Sequence, residues 1–156
     1  MTEEVINVLY KDKEIPKLKF IPQGDWVDTY VSRIQFESGF QAGEVKDAAH
    51  ISQFDYIKLY LGFCMELPEC EEAWVVPRSS TFRKKGLVLC NSMGVIDNSF
   101  RGSNDEWFVP VLAMRDTYIK KGDCLFQFRT AKKQPIRRFS AVNHFDGNEN
   151  RGSDGS

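Results

Sequence analysis

The sequence predicts an all-β protein, a sandwich or barrel, on three observations. Short β-branched and aromatic runs recur along most of the chain. Gly and Pro separate them at intervals of about ten residues, and no long segment carries helical periodicity. In chain order, Val5–Tyr10, Tyr56–Leu61, Ala73–Val76 and Trp107–Leu112 read as strands bounded by turn residues, and Leu125–Arg129 alternates apolar and polar as a half-buried strand does. A single helical turn is expected at Ser80–Lys84, opened by a hydroxyl cap. Glu37–Ser52 is small, polar and poorly patterned, which predicts a long loop or hairpin insertion. From Asp146 onward the composition cannot pack a core. The expected organisation is a β domain over residues 1–145 and a flexible tail over residues 146–156.

Composition bounds the function. At 156 residues and 18.0 kDa the chain matches one domain, large enough to bury a core without a metal or disulfide staple. Hydrophobic residues at 42% and charged residues at 28% exclude wholesale disorder. The longest uncharged apolar stretch, Trp107–Met114, is too short to span a bilayer. The acidic opening Met1-Thr2-Glu3-Glu4 lacks the basic start of a secretory signal, so a cytoplasmic location is expected. Lys plus Arg total 21 against 22 for Asp plus Glu, a formal charge of −1, which argues against stable nucleic-acid binding over the whole surface. Cys64, Cys70, Cys90 and Cys124 form no C-x-x-C pair, and His50 and His144 lie far apart, a poor pattern for zinc. The thiols read as reduced, buried and small core hydrophobes.

Three segments carry candidate chemistry. Asn91-Ser92-Met93-Gly94-Val95-Ile96-Asp97-Asn98-Ser99-Phe100-Arg101-Gly102 reads as a hairpin with a glycine toward each end. Such a hairpin lets a planar ligand approach main-chain donors and acceptors, and Asp97 is a carboxylate able to hold a water. A simple Asx-turn fits the same residues. Pro77-Arg78-Ser79-Ser80 sits between a strand and the helical turn, where a guanidinium fork, hydroxyls and free N–H groups suit an anion, or equally a plain cap. Lys132, Lys133, Arg137 and Arg138 form a basic run around Pro135, either a phosphate contact or a solvated edge strand blunted by charge.

Taken in order, Gly24-Asp25-Trp26-Val27-Asp28, Pro77-Arg78-Ser79-Ser80, Asn91–Gly102, Gly122-Asp123-Cys124-Leu125-Phe126-Gln127 and Arg151-Gly152 resemble the five motifs of the trimeric dUTPases. Gln23-Gly24-Asp25-Trp26, Met93 before Gly94, and Leu112–Thr117 are most similar to the Bacillus and phage-type branch. The resemblance implies an all-β jelly roll of the dUTPase-like β-clip kind. It implies a homotrimer with shared sites, dUTP as substrate, Mg²⁺ as cofactor, and dUMP and pyrophosphate as products. By the same resemblance Asp97 orients the attacking water. Asn91, Gly94, Val95 and Ile96 lie in the uracil-pairing hairpin, and Phe100 stands where the family usually has Tyr under the deoxyribose. Arg78, Ser79 and Ser80 hold phosphate, Gln127 lies near the phosphates, and Arg151 clamps the γ-phosphate. Asp28 holds Mg²⁺ through water, with Asp25 as its rival.

Three departures stand out. Asp28 is followed by Thr29-Tyr30-Val31 where the family usually continues with Leu, and Glu37–Ser52 is longer than expected. The last motif reads Arg151-Gly152-Ser153-Asp154-Gly155-Ser156, with a carboxylate where a residue covering uracil is expected. The altered last motif and Glu37–Ser52 keep one alternative in view, a phage-encoded regulatory binding protein on the same fold with weak turnover; dCTP deaminase, which shares the fold the resemblance implies, is a second.

Overall fold

The computed structural model describes residues 3–147. Among them the chain forms thirteen strands, every pairing antiparallel, and one short helix. A five-stranded sheet runs in the order β4 (Val45–Lys46), β3 (Arg33–Phe36), β6 (Tyr56–Tyr60), β11 (Phe108–Ala113), β9 (Leu87–Leu89). A four-stranded sheet runs β10 (Gly94–Ile96), β8 (Glu71–Pro77), β13 (Phe126–Lys132), β2 (Val27–Asp28). Two ribbons complete the structure: β1 (Asn7–Tyr10) with β7 (Phe63–Glu66), and β12 (Thr117–Lys120) with β5 (Ala48–Ile51). The helix α1 (Thr81–Lys85) joins β8 to β9. No helix among the described residues is long and apolar enough to cross a membrane.

Alternation builds the core. Ile34 and Phe36 of β3, Ile57 and Leu59 of β6, and Val109 and Val111 of β11 are buried, as are Ala73 and Val75 of β8 and Phe126 and Phe128 of β13. Their neighbours Arg33, Lys58, Trp74, Gln127 and Arg129 face outward and stay partly exposed, the period-2 consequence of the pleat. Trp107 anchors the centre, with ring centroids 4.9 Å from Phe63 and 5.1 Å from Phe128. Such aromatic contacts contribute ~0.5–1.5 kcal/mol each beyond their area. The result is the jelly-roll-like β architecture that the sequence patterns and the motif order imply.

Each predicted strand forms, with small boundary shifts, and the helical turn falls one residue later than expected. Four local expectations are corrected and one is narrowed. Ser80 makes no side-chain cap bond and has near-helical angles (φ −93°, ψ −6°), so the hydroxyl cap is absent. The turn is held instead by the Leu125 carbonyl, which accepts from the Arg78 N–H and the Thr81 hydroxyl. Of the two expectations for Glu37–Ser52 the hairpin is the one that forms: a turn closes β3 onto β4, and β5 then pairs with β12. The segment Asn91–Gly102 is not a self-paired hairpin, because its strand β10 joins β8 in the other sheet while the preceding β9 joins β11. Of the basic run only Lys132 lies in a strand, the rest being exposed chain beyond β13. Cys64 is buried, but Cys70 and Cys90 are exposed and Cys124 is half-buried; all four are free thiols.

Candidate active site

Two groups of predicted residues occupy opposite corners of the four-stranded sheet. At one corner Asp28 on β2 stands opposite Gln127 on β13, which stands opposite Val76 on β8. Arg78 follows the end of β8 and places its Nε 3.1 Å from Asp28 Oδ1. Gln127 Nε2 donates to the Pro77 carbonyl at 3.3 Å. These contacts gather Asp28, Arg78 and Gln127 on one surface beside the Ser79–Ser80 turn. Among the described residues neither the Ser79 nor the Ser80 N–H donates to a protein acceptor, so the turn presents two donors next to a guanidinium. An anion meets both N–H groups and positive charge there.

Two neighbours to which the motifs assign no role adjoin this group, Cys124 and Tyr30. Burial pushes the Cys124 thiol up, and the Asp28 carboxylate adds to this, so the thiol stays protonated beside the ion pair. Burial also raises Tyr30, with Cys124 and Asp28 contributing in the same direction. A signal for Tyr30 existed in its spacing of two from Asp28, which puts both on one face.

At the other corner β10 is the edge strand, so its outer main-chain edge pairs with no other strand of the sheet. Gly94 is buried there, and the close approach it permits is to β8: a Cβ would stand 3.3 Å from Val75 Cβ. Asn91 and Val95 are exposed, while Ile96 and Phe100 pack against the core. Asp97 lies just beyond β10, fully accessible, with Oδ2 accepting from the Ser99 N–H at 2.9 Å and from the Ser99 hydroxyl. The Ser99 bonds hold its carboxyl below the ordinary carboxylate value, and Lys133 contributes more weakly. The Asx-turn suggested by the sequence is therefore present, and it leaves the carboxylate ionised and open to water.

The ladder sets the distance between the corners. Ile96 stands opposite Ala73, whereas Asp28 shares a row with Val76, and three strand spacings separate β10 from β2. With strands ~4.8 Å apart and ~3.3 Å per residue, Asp97 and Asp28 of one chain are roughly 20 Å apart. One chain does not bring Asp97 to Arg78. Arg151 lies outside the described residues. No cluster of three metal-ligating side chains occurs among the described residues.

Comparison with known proteins fits this layout. A Staphylococcus bacteriophage 80alpha dUTPase mutant with dUpNHpp superposes with a TM-score of 0.73 at 12% identity, covering 98% of this chain and 96% of that one. A mutant dUTPase from phage phi11 of S. aureus, described for its coordination of a structural Mg(II) ion, gives 0.68 at 12% identity, covering 91% and 99%. The fold is thus that of the dUTPases. In sequence, the chain is 44% identical over 151 residues to the SPbeta prophage-derived deoxyuridine 5'-triphosphate nucleotidohydrolase YosS of Bacillus subtilis (strain 168), covering 97% of this chain and 96% of that protein. The family model described as dUTPase matches residues 39–156. The chain belongs to the dUTPase family.

Proposed function

We propose that this protein hydrolyses dUTP to dUMP and pyrophosphate, as a homotrimer whose sites are each built from more than one chain. The observation that carries the assembly is the separation of the two corners. Asp97 and the Asp28–Arg78–Gln127 group of one chain are too far apart to act on the same phosphate, so one copy's Asp97 meets another copy's Arg78. The exposed segment after β13 supports association, since Ile136, Phe139, Val142 and Phe145 have 105%, 92%, 61% and 82% relative exposure and need a surface to cover them.

In this reading uracil lies along the free edge of β10, between Asn91 and Ile96, and pairs with main-chain groups. A donor facing O4 rejects cytosine, whose amino group would meet it donor to donor; a mismatch of that kind costs ~1–3 kcal/mol. Phe100 packs beneath the deoxyribose and leaves no room for a 2′-hydroxyl. Arg78 and the Ser79 and Ser80 N–H groups take the phosphates, Gln127 assists, and Arg151 in the tail of residues 146–156 closes on the γ-phosphate. Asp97, kept ionised by Ser99, holds the water that attacks the α-phosphorus.

Mg²⁺ is the cofactor this chemistry calls for, and the residues fit it. Mg²⁺ keeps several waters and binds chiefly through substrate phosphates with one or two carboxylates, so a full protein cage is not required. Asp28 supplies such a carboxylate, 37% exposed and beside the phosphate turn. Asp28 would hold the ion through its water shell, and the ion would offset triphosphate charge.

The test is pyrophosphate release from dUTP, dCTP, dTTP and UTP with Mg²⁺ and with EDTA. Release from dUTP roughly 5- to 150-fold above dCTP, as a mismatch of ~1–3 kcal/mol predicts, weaker release from dTTP and UTP, and loss of activity in EDTA are expected. Ammonia from dCTP would favour a deaminase, and tight dUTP binding with almost no turnover would favour a regulatory binding protein.

A further inference from the structure

Asp97 belongs to a short segment that two neighbouring side chains fasten from different directions. Asn98 Nδ2 donates to the Pro68 carbonyl at 2.8 Å and to the Glu71 carbonyl at 2.7 Å. Both acceptors lie in the tight turn that leads into β8, where the Glu71 N–H also bonds back to Pro68 at 3.1 Å. One amide thus spans two carbonyls 27 and 30 residues away in sequence and ties the exit of β10 to the strand that carries Arg78 at its far end. Ser99 acts locally: its N–H and hydroxyl both bind Asp97 Oδ2. The Phe100 N–H completes the turn with a 2.9 Å bond to the Asp97 carbonyl.

We propose that Asn98 and Ser99 are positioning residues for Asp97. Ser99 occupies Oδ2 and leaves Oδ1 as the oxygen presented to water, while Asn98 fixes the height of the turn over the sheet. The proposal rests on Asp97 being the water-holding group. A carboxylate with two donors on one oxygen has its rotation about Cβ–Cγ restricted, and the remaining oxygen points in one direction. Without the Ser99 hydroxyl one N–H bond remains to hold Oδ2, and the exposed carboxylate samples more orientations, fewer of which align a water. The charged groups facing Asp97 are few. Lys133, from the segment after β13, lowers its carboxyl further, and Glu72 stands on the next rung of β8 with its own carboxylate bonded to Trp74 Nε1 at 2.6 Å.

The experiment compares Ser99→Ala, Ser99→Thr, Asn98→Ala and Asp97→Asn in the full chain. It measures dUTP turnover against pH and, in the nucleotide-free protein, the titration of the Asp97 carboxyl by NMR. Ser99→Ala, which removes the hydroxyl bond and keeps the N–H bond, is expected to lower kcat about tenfold with KM little changed, as loss of one hydrogen bond to a charged group predicts. It should also move the acid limb of kcat and the NMR titration upward together. Ser99→Thr, which keeps hydroxyl and N–H, should restore both. Asn98→Ala should lower kcat without moving the Asp97 titration, because its bonds go to carbonyls. Ser99→Ala with wild-type kcat and an unmoved titration, alongside an inactive Asp97→Asn, would overturn the positioning role while leaving Asp97 in place. An active Asp97→Asn would instead overturn the catalytic reading itself, and the NMR titration would still report whether Ser99 holds the carboxylate.

Discussion

Arg78→Gln separates a residue that holds the fold from one that holds the substrate. In the structure Arg78 and Asp28 form an ion pair at 3.1 Å with side chains 39% and 37% exposed. A pair that open to water contributes ~0.2–1 kcal/mol, because solvent screens the attraction and two long side chains lose freedom. The substitution should therefore lower the melting temperature by no more than about 4 °C for a domain of this size. The Arg78 backbone bond to Leu125 survives the change, so the turn stays in place. Toward a triphosphate the balance differs. A guanidinium fork on phosphate is worth ~1.5–3 kcal/mol, which predicts a loss of roughly 10- to 150-fold in kcat/KM for dUTP. Arg78→Lys keeps the charge but not the fork and should fall between wild type and Gln. Pyrophosphate release gives the kinetics, and thermal unfolding with a dye or by circular dichroism gives the stability. A kcat/KM within threefold of wild type, accompanied by a melting temperature lowered by 8 °C or more, would refute the argument and make Arg78 a structural residue.

Three further outcomes are expected. Gly62 has φ +78°, and an added Cβ would stand 2.7 Å from Ile15 Cδ1 and 3.1 Å from Ser32 Cβ, so Gly62→Ala should cost about 2–4 kcal/mol in a chemical denaturation curve, from left-handed backbone strain plus crowding; a loss below about 0.5 kcal/mol would contradict the packing there. Sedimentation equilibrium should return a mass close to three times 18.0 kDa, and a clean monomer that still hydrolyses dUTP would remove the shared-site argument. Burial alone would raise the Asp12 carboxyl, but the Lys121 ammonium, the Ser32 hydroxyl and the Glu14 N–H outweigh it and take it from 3.8 down to about 2. A depressed folded-state value stabilises above the unfolded one, so this contribution is complete above about pH 4 and fades as pH falls toward 2. Asp12→Asn should flatten that part of the stability-versus-pH curve, and a wild-type curve equally flat would contradict the pairing.

Much of the architecture is written locally. Tyr56–Leu61 and Leu125–Arg129 declare strand and inward face together, because a period of two sends Ile57, Leu59, Phe126 and Phe128 to one side whatever the partner strand. The motif segments are likewise legible from residue order alone. The short ribbon of β5 and β12 is not, since Ala48–Ile51 and Thr117–Lys120 are four residues each, too short a run to declare a strand until each supplies the other's backbone partners. Ser80 has the residue type of a cap, yet the turn before α1 is fastened by the Leu125 carbonyl, 45 positions later, through the Arg78 N–H and the Thr81 hydroxyl. Asn91–Gly102 has a glycine toward each end, as a self-paired hairpin would, yet all three residues of β10 pair with β8. The chemistry is legible residue by residue: a carboxylate at position 97, a guanidinium at 78, a second carboxylate at 28. Which of them meet is a matter of packing. Strand order joins Asp28 to Arg78 across 50 residues and holds Asp97 at the opposite corner of the same sheet, since hydrogen-bonded pairing between distant segments follows from the whole packed core and not from any local pattern.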